Sequence, residues 1–285
     1  MKKMHFQDVE DVIMQITDTK FMKDFIRITH DAWLKGWHER NGGNMSYRLK
    51  KNEIKLIKDL IDENRDFHPI EVKVANLAHE YFVITGTGKF FRNVILDAEE
   101  NLGIIQIDEK GEKYKIVWGL RDGGRPTSEL PTHLMNHAVK KEVTKDVYRV
   151  IMHSHTTNII ALTFVLPLKD EVFTRELWEM ATECPVVFPR GVGVIDWMVP
   201  GGAPIAEATS VLMKKYDVAI WAHHGTFCSA ETLDQAFGLM DTVEKSAEIL
   251  VKVLSMGGKQ QSITTANFKE LAQDFKIDLP DRFLK

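Results

Sequence analysis

Tyr148-Arg149-Val150-Ile151-Met152 is a β-branched and apolar run that ends in His153-Ser154-His155. Such a run reads as a buried strand, and residues two apart in an extended segment share a face. Both imidazoles can therefore point at one ion as the strand ends. Two neutral imidazoles supply half of a tetrahedral zinc site. A third ligand, an acid or base, and a surface that holds substrate have to come from elsewhere in the chain.

A second strand end presents histidine downstream. Val218 to Trp221 is a short apolar run that empties into Ala222-His223-His224-Gly225. Strand ends that meet at one edge of a sheet could gather His153, His155 and one of His223 or His224. Three nitrogens and a vacancy are the pattern of catalytic zinc, where structural sites are closed by four ligands. Only one ring of the adjacent pair easily faces an ion, and spacing does not say which. His133 and His137 lie one turn apart on a helical pattern, but they lack the glutamate of His-Glu-x-x-His and read as half-buried helix residues.

Three polar turns are candidate seats for an anion. Asn41-Gly42-Gly43-Asn44 offers approachable backbone amides and two side-chain donors, although Gly and Asn equally make an ordinary turn. Thr85-Gly86-Thr87-Gly88-Lys89 follows the β-run Tyr81 to Ile84. It is no P-loop, because its glycines are too close and Phe90 follows the lysine. Arg125-Pro126-Thr127-Ser128-Glu129-Leu130-Pro131 enters a helical pattern from Thr132 to Lys141, with Thr127 or Ser128 as its cap. Free amides and the positive end of the dipole attract anions there. Glu129 fits either a carboxylate that stabilises this helix start or a catalytic group.

The rest of the chain supplies the frame. With 285 residues, 44% of them hydrophobic, it can bury a sizeable core, and no linker favours two domains. Scattered basic residues and a net charge of −4 argue against nucleic acid as partner. Cys184 and Cys228 are too few for a disulfide framework and read as buried small apolar residues in a reducing cytoplasm. Asp8, Glu10 and Asp11 interrupt any export signal, and the apolar stretch from Ile159 to Leu168 is too short to span a membrane. Val9 to Ile16 and Phe21 to Trp37 suggest two N-terminal helices, over about residues 1–37, packed on the body of a single domain of residues 1–285. Asn52 to Phe67 reads as a surface helix, and Leu102 to Ile107 with Tyr114 to Trp118 as a hairpin turning at Gly111. Helical patterns cover Thr156 to Val165, Asp170 to Thr182 and Ala203 to Lys215, and Val186-Val187-Phe188 starts a strand.

Several motifs in order carry a resemblance. Asp31-Ala32-Trp33-Leu34-Lys35-Gly36-Trp37, Asn41-Gly42-Gly43-Asn44, Thr85 to Asn93, Pro126 to Pro131, Leu177-Trp178-Glu179 and Ala247 to Gly258 together resemble the class II sugar-phosphate aldolase and epimerase family. The likeness runs from about Trp33 to Gly258, and the segment from Lys50 to Asn76 departs most. It implies a single α/β domain with a mainly antiparallel central sheet, helices on both faces, and a cyclic homotetramer. It further implies His153, His155 and His224 as ligands of one Zn²⁺ per subunit and Glu129 as acid/base. Asn41, Asn44, Thr87, Thr127 and Ser128 match the phosphate-binding positions; at Thr87 the resembled member carries serine, so the hydroxyl is kept and a methyl added. Glu183 matches a residue that reaches the aldehyde end of the substrate in a neighbouring subunit, or simply ends a helix. The activity implied is retro-aldol cleavage of L-rhamnulose 1-phosphate in L-rhamnose catabolism. L-fuculose 1-phosphate cleavage, or 4-epimerisation of ribulose 5-phosphate, is the alternative. A zinc hydrolase would not need three phosphate turns, and a non-catalytic relative would not need to keep the ligands.

Overall fold

The computed structural model describes residues 14–285. The expected helix from Val9 to Ile16 falls mostly outside them, and Ile16–Asp18 is a single 3-10 turn. Nine strands form one sheet: β1 (Asn44–Arg48), β2 (His68–Pro69), β3 (Tyr81–Thr85), β4 (Leu102–Ile107), β5 (Lys113–Gly119), β6 (Val150–Ser154), β7 (Gly193–Ile195), β8 (Val218–Trp221) and β9 (Gly225–Ala230). Their order is β2-β5-β4-β3-β1-β6-β9-β8-β7. The pair β7 and β8 is parallel, and every other pairing is antiparallel.

Alternation along the strands sends side chains to the two faces of the sheet, as the period of an extended chain requires, and they gather there in three clusters. Val150 and Met152 join the larger core with Phe25 and Ile28 of the helix Lys20–Leu34 and with Met240 and Val243 of the helix Leu233–Ser255. Ile151 points the other way, into a cluster with Trp221, Phe227 and Ile205 of the helix Ala203–Met213. Leu130 and Leu134 of the helix Leu130–Val143 cover Phe82 and Ile84. Helices thus lie on both faces, as expected. Each fully buried Leu, Ile or Phe contributes on the order of 1.5–3 kcal/mol, so these clusters hold the strand ends in register.

Four local expectations fail for identifiable reasons. Val186 and Val187 belong to the helical turn Cys184–Val187, because Pro185 sits at its start, where its fixed φ suits a helix and its missing N–H costs nothing. The surface helix stops at Ile57 and continues only as the 3-10 turn Lys58–Leu60. Beyond it the Asp62 N–H donates to the Val117 carbonyl at 2.8 Å, and the Asn64 N–H to the Asp62 carboxylate at 3.0 Å, so the backbone leaves the helix for the sheet edge. Neither Thr127 nor Ser128 caps the helix Leu130–Val143; Glu129 occupies that position, and its N–H donates to Thr127 Oγ1 at 3.2 Å. The helix Thr157–Leu162 has Thr156 at its cap position, but the buried Glu244 carboxylate accepts from the Asn158 and Ile159 N–H groups at 2.8 and 3.1 Å. Within the span from Phe21 to Trp37, Trp33 is at the surface and Trp37 is buried.

Candidate functional site

Three central strands deliver the histidines to one end of the sheet. Asn44 at the start of β1 pairs with His153 near the end of β6, and His153 pairs in turn with Phe227 of β9. The turn joining β8 to β9 adds His224. One ligand atom from each of His153, His155 and His224 lies within 4.8 Å of the others. Ring centroids are 5.3 Å apart for His153 and His155, and 5.0 Å for each of these to His224. The rings make a nearly equilateral triangle, each steeply inclined to the next.

Hydrogen bonds choose which nitrogen faces inward on two of the rings. His153 is fully buried and stacked on Phe227 at 4.1 Å, with Nδ1 donating to the Thr226 carbonyl at 3.2 Å. Its Nε2 is left as a lone pair with no hydrogen-bond partner among the described residues. His155 Nδ1 donates to Glu39 Oε1 at 2.6 Å, so its Nε2 is also the bare nitrogen. Burial, and then the charge of neighbouring His155, pushes His224 down to about 4, and burial pushes His153 well below the ordinary histidine range. Convergent imidazole nitrogens fit a divalent metal ion, and an ion would satisfy the orphaned His153 nitrogen, which otherwise costs about 1–3 kcal/mol.

Close backbone approaches build this arrangement. A Cβ on Gly225 would sit 2.4 Å from the Ser154 carbonyl oxygen and 3.1 Å from His153 Cε1, and one on Gly42 would sit 2.7 Å from His155 Nδ1. His38 supports the glycine loop from beneath: Nδ1 lies 3.0 Å from the Gly42 carbonyl, Nε2 lies 3.0 Å from Ser154 Oγ, and the ring stacks on Phe91 at 3.8 Å. His223, with φ of 61°, turns away from the triangle. Its Nδ1 lies 3.1 Å from Thr163 Oγ1, and its ring meets Phe164 at 4.2 Å.

Glu129 does not cap its helix with its side chain. Instead the carboxylate lies against the triangle, with Oε2 3.7 Å from His153 Nε2 and Oε1 3.9 Å from His224 Nε2. Burial raises its pKa, while a 2.9 Å hydrogen bond from Asn44 Nδ2 opposes the rise. Asn44, expected in the phosphate seat, has its carbonyl oxygen against His133 Nε2 and one amide N–H on Glu129; only its second amide N–H is left for a ligand.

The remaining polar turns lie at the same end of the sheet. An isolated bridge pairs Gly86 with Pro126, the Thr87 N–H donates to the Arg125 carbonyl, and the Thr127 N–H donates to the Thr85 carbonyl, both at 2.9 Å. Thr87 and Ser128 are exposed and Thr127 is buried, while Asn41 is exposed on the loop before β1. Lys89, weighed as a phosphate contact, is paired with Glu100. Glu183 is exposed and borders a cleft of about 730 Å³ lined by Lys35, Asp241 and Lys245, which none of the three histidines borders. Two residues of the site have little or no signal in the sequence. Glu39 carries no local signal, and His133 was visible only as half of an unpromising helix pair.

Comparison with known proteins agrees with this architecture. Residues 23–251 match the family described as class II aldolase and adducin N-terminal domain. A rhamnulose-1-phosphate aldolase of Mannheimia succiniciproducens is 53% identical over 272 residues, covering 95% of this chain and 100% of the relative. One of Pectobacterium atrosepticum is 48% identical over 262 residues, covering 92% and 96%. Among solved structures, a sugar-phosphate aldolase from Thermotoga maritima superposes with a TM-score of 0.72 at 26% identity, covering 83% of this chain and 96% of that one. An L-fuculose 1-phosphate aldolase shares the fold at a TM-score of 0.59 and 19% identity, covering 91% and 98%.

Proposed function

Because the chain belongs to the class II aldolase and adducin N-terminal domain family, we propose that it is a lyase that cleaves L-rhamnulose 1-phosphate between C3 and C4. The products are dihydroxyacetone phosphate and L-lactaldehyde. The observation that carries this reading is the Glu129 carboxylate set 3.7 and 3.9 Å from two of three convergent imidazoles. An acid/base group beside a three-nitrogen site is what a metal-assisted carbon–carbon cleavage requires.

His153, His155 and His224 are the proposed ligands, and Zn²⁺ is the proposed ion. When bound, it supplies Lewis-acid stabilisation of the negative charge that develops on the substrate's carbonyl oxygen as the C3–C4 bond breaks. Glu129 exchanges a proton with the C4 hydroxyl or with C3: ionised it takes one, and protonated it returns one. Burial favours its protonated form and the Asn44 N–H its ionised form, the two forms this exchange alternates between. Asn41, Thr87, Thr127 and Ser128, with the second amide N–H of Asn44, form the proposed phosphate seat. Holding the unreactive end fixes the register of the reacting carbons. No catalytic lysine is invoked.

Glu183 is proposed to reach the aldehyde end of the substrate in a neighbouring subunit of a homotetramer, since in its own subunit it borders a cleft that the three histidines do not line. A cytoplasmic location suits a sugar-phosphate catabolic enzyme; no helix among the described residues is long and apolar enough to cross a membrane. Product analysis with three sugar phosphates tests the substrate. Cleavage of L-rhamnulose 1-phosphate in preference to L-fuculose 1-phosphate, with no epimerisation of ribulose 5-phosphate, is the expected outcome. The reverse preference would overturn the assignment within the family.

A further inference from the structure

The carboxylate of Glu129 ends a chain of buried hydrogen bonds that the proposed reaction does not itself use. Asn44 Nδ2 donates to Glu129 Oε2 at 2.9 Å, and Asn44 Oδ1 is hydrogen-bonded to His133 Nε2. On the far side of that ring, His133 Nδ1 lies 2.6 Å from Ser46 Oγ, which lies 2.8 Å from His137 Nε2. Ser46, His133 and His137 are each at most 1% exposed. The pleat explains the assembly: Asn44 and Ser46 are two apart on β1 and share a face, which is the face covered by the helix Leu130–Val143.

Burial holds His133 down to about 3 and His137 well below the ordinary range, so both rings are neutral, each with one donor and one acceptor nitrogen. An ionised Glu129 accepts only, so Asn44 must turn its amide N–H toward Glu129 and its carbonyl toward His133. His133 is then protonated on Nε2, Ser46 donates to His133 Nδ1, and His137 donates from Nε2 to Ser46. One nitrogen is left over, His137 Nδ1, as a bare acceptor. Among the described residues that buried atom has no hydrogen-bond partner. The reversed pattern would instead bury an unpaired N–H at the same place, and orphaned buried N–H groups are much rarer than under-used acceptors.

We propose that His133, Ser46 and His137 are positioning residues for Glu129, forming a one-way chain from His137 through Ser46, His133 and Asn44 to the carboxylate. The chain anchors Oε2 and leaves Oε1, the oxygen facing His224, for proton exchange with substrate. This rests on the assignment of Glu129 as acid/base in the proposed reaction.

The test is steady-state cleavage by the metal-loaded protein, with kcat, KM and metal content read separately, for wild type, His133→Phe, His133→Gln, Ser46→Ala and Ser46→Thr. Gln can place an N–H near the His133 Nε2 position and a carbonyl toward Ser46, whereas Phe can do neither. His133→Phe is expected to lower kcat about 10- to 100-fold, the scale of a small misplacement of a reacting group, with KM and metal content little changed. His133→Gln is expected to recover most of the loss. Ser46→Ala lowers kcat in the same direction and Ser46→Thr restores it, and this pair decides if His133→Phe does not accumulate folded. Wild-type kcat in His133→Phe or in Ser46→Ala would overturn the proposal, as would His133→Gln as slow as Phe, or a fall in kcat that merely tracks lost metal. A wild-type protein that fails to cleave the sugar phosphate counts against the assigned reaction instead. The chain is then read directly from ¹⁵N-histidine NMR of the wild type, where Nε2–H tautomers of both His133 and His137 are expected and an Nδ1–H tautomer in either overturns it.

Discussion

His155 Nδ1 and Glu39 Oε1, 116 residues apart in the chain, are 2.6 Å from each other. The carboxylate fixes the proton on Nδ1, turns Nε2 toward His153 and His224, and makes that nitrogen a better donor to a cation. Removing such an outer partner from a ligating histidine typically weakens metal binding about 10- to 100-fold. Glu39→Ala is therefore expected to lose metal to a competing chelator at correspondingly lower concentration, with Glu39→Gln, which keeps an acceptor oxygen, in between. Unchanged competition curves would show that Glu39 only decorates the surface.

The adjacent histidines should separate cleanly. His224→Ala removes one corner of the triangle and is expected to abolish stoichiometric metal binding. His223→Gly should leave metal content and cleavage intact, because His223 faces Thr163 and Phe164 and its backbone is already in the left-handed region that glycine favours. The stability change should stay within about 1 kcal/mol, with lost side-chain contacts set against a relaxed backbone. Metal analysis of the two purified variants settles the point.

Gly225 tests the packing beneath the proposed ligands. A methyl there meets the Ser154 carbonyl oxygen at 2.4 Å, and backbone cannot swing aside as a side chain can. Overpacking of this kind costs about 1–3 kcal/mol. Gly225→Ala should lower the denaturation midpoint and, by pushing on His153, weaken metal binding too. A variant with wild-type midpoint and metal affinity would show that β6 and β9 separate more easily than their register suggests.

How far the site could be read from residues alone follows from where its information lies. His153 and His155 were legible because two polar rings at the end of an apolar run are anomalous in one dimension. The choice between His223 and His224 was not, since it depends on a backbone reversal at His223 that spacing cannot reveal, and the family resemblance supplied it. β9 went unread: Thr226, Cys228 and Ser229 are buried on a strand covered on both faces, so no alternation marks it. Val186 to Phe188 looked like a strand by its β-branched residues until Pro185 started a helical turn. Glu39 and His133 gain their roles only from partners brought near by β6 and β1, and no local pattern could announce them.

Buried neutral histidines fix the acid side of the stability profile. His38 and His133 are both held down to about 3 by burial, against an ordinary value of 6.5. The unfolded chain binds their protons as pH falls through about 6.5, but the folded chain does not, so stability is full above that pH and is lost progressively toward pH 3. Each ring contributes a slope of up to about 1.4 kcal/mol per pH unit. Urea midpoints measured from pH 7.5 to 4.5 should fall steeply below 6.5, and less steeply in His133→Gln. A flat profile would mean that these rings are protonated in the folded protein.

Cleavage of L-rhamnulose 1-phosphate before and after chelation, with metal content measured on the same samples, tests the central claim most directly. One Zn²⁺ per chain, loss of cleavage on chelation by more than about 100-fold, and recovery on adding one equivalent back is the predicted result, since Lewis-acid stabilisation is worth several kcal/mol. Cleavage that continues at the same rate in metal-free protein would contradict it.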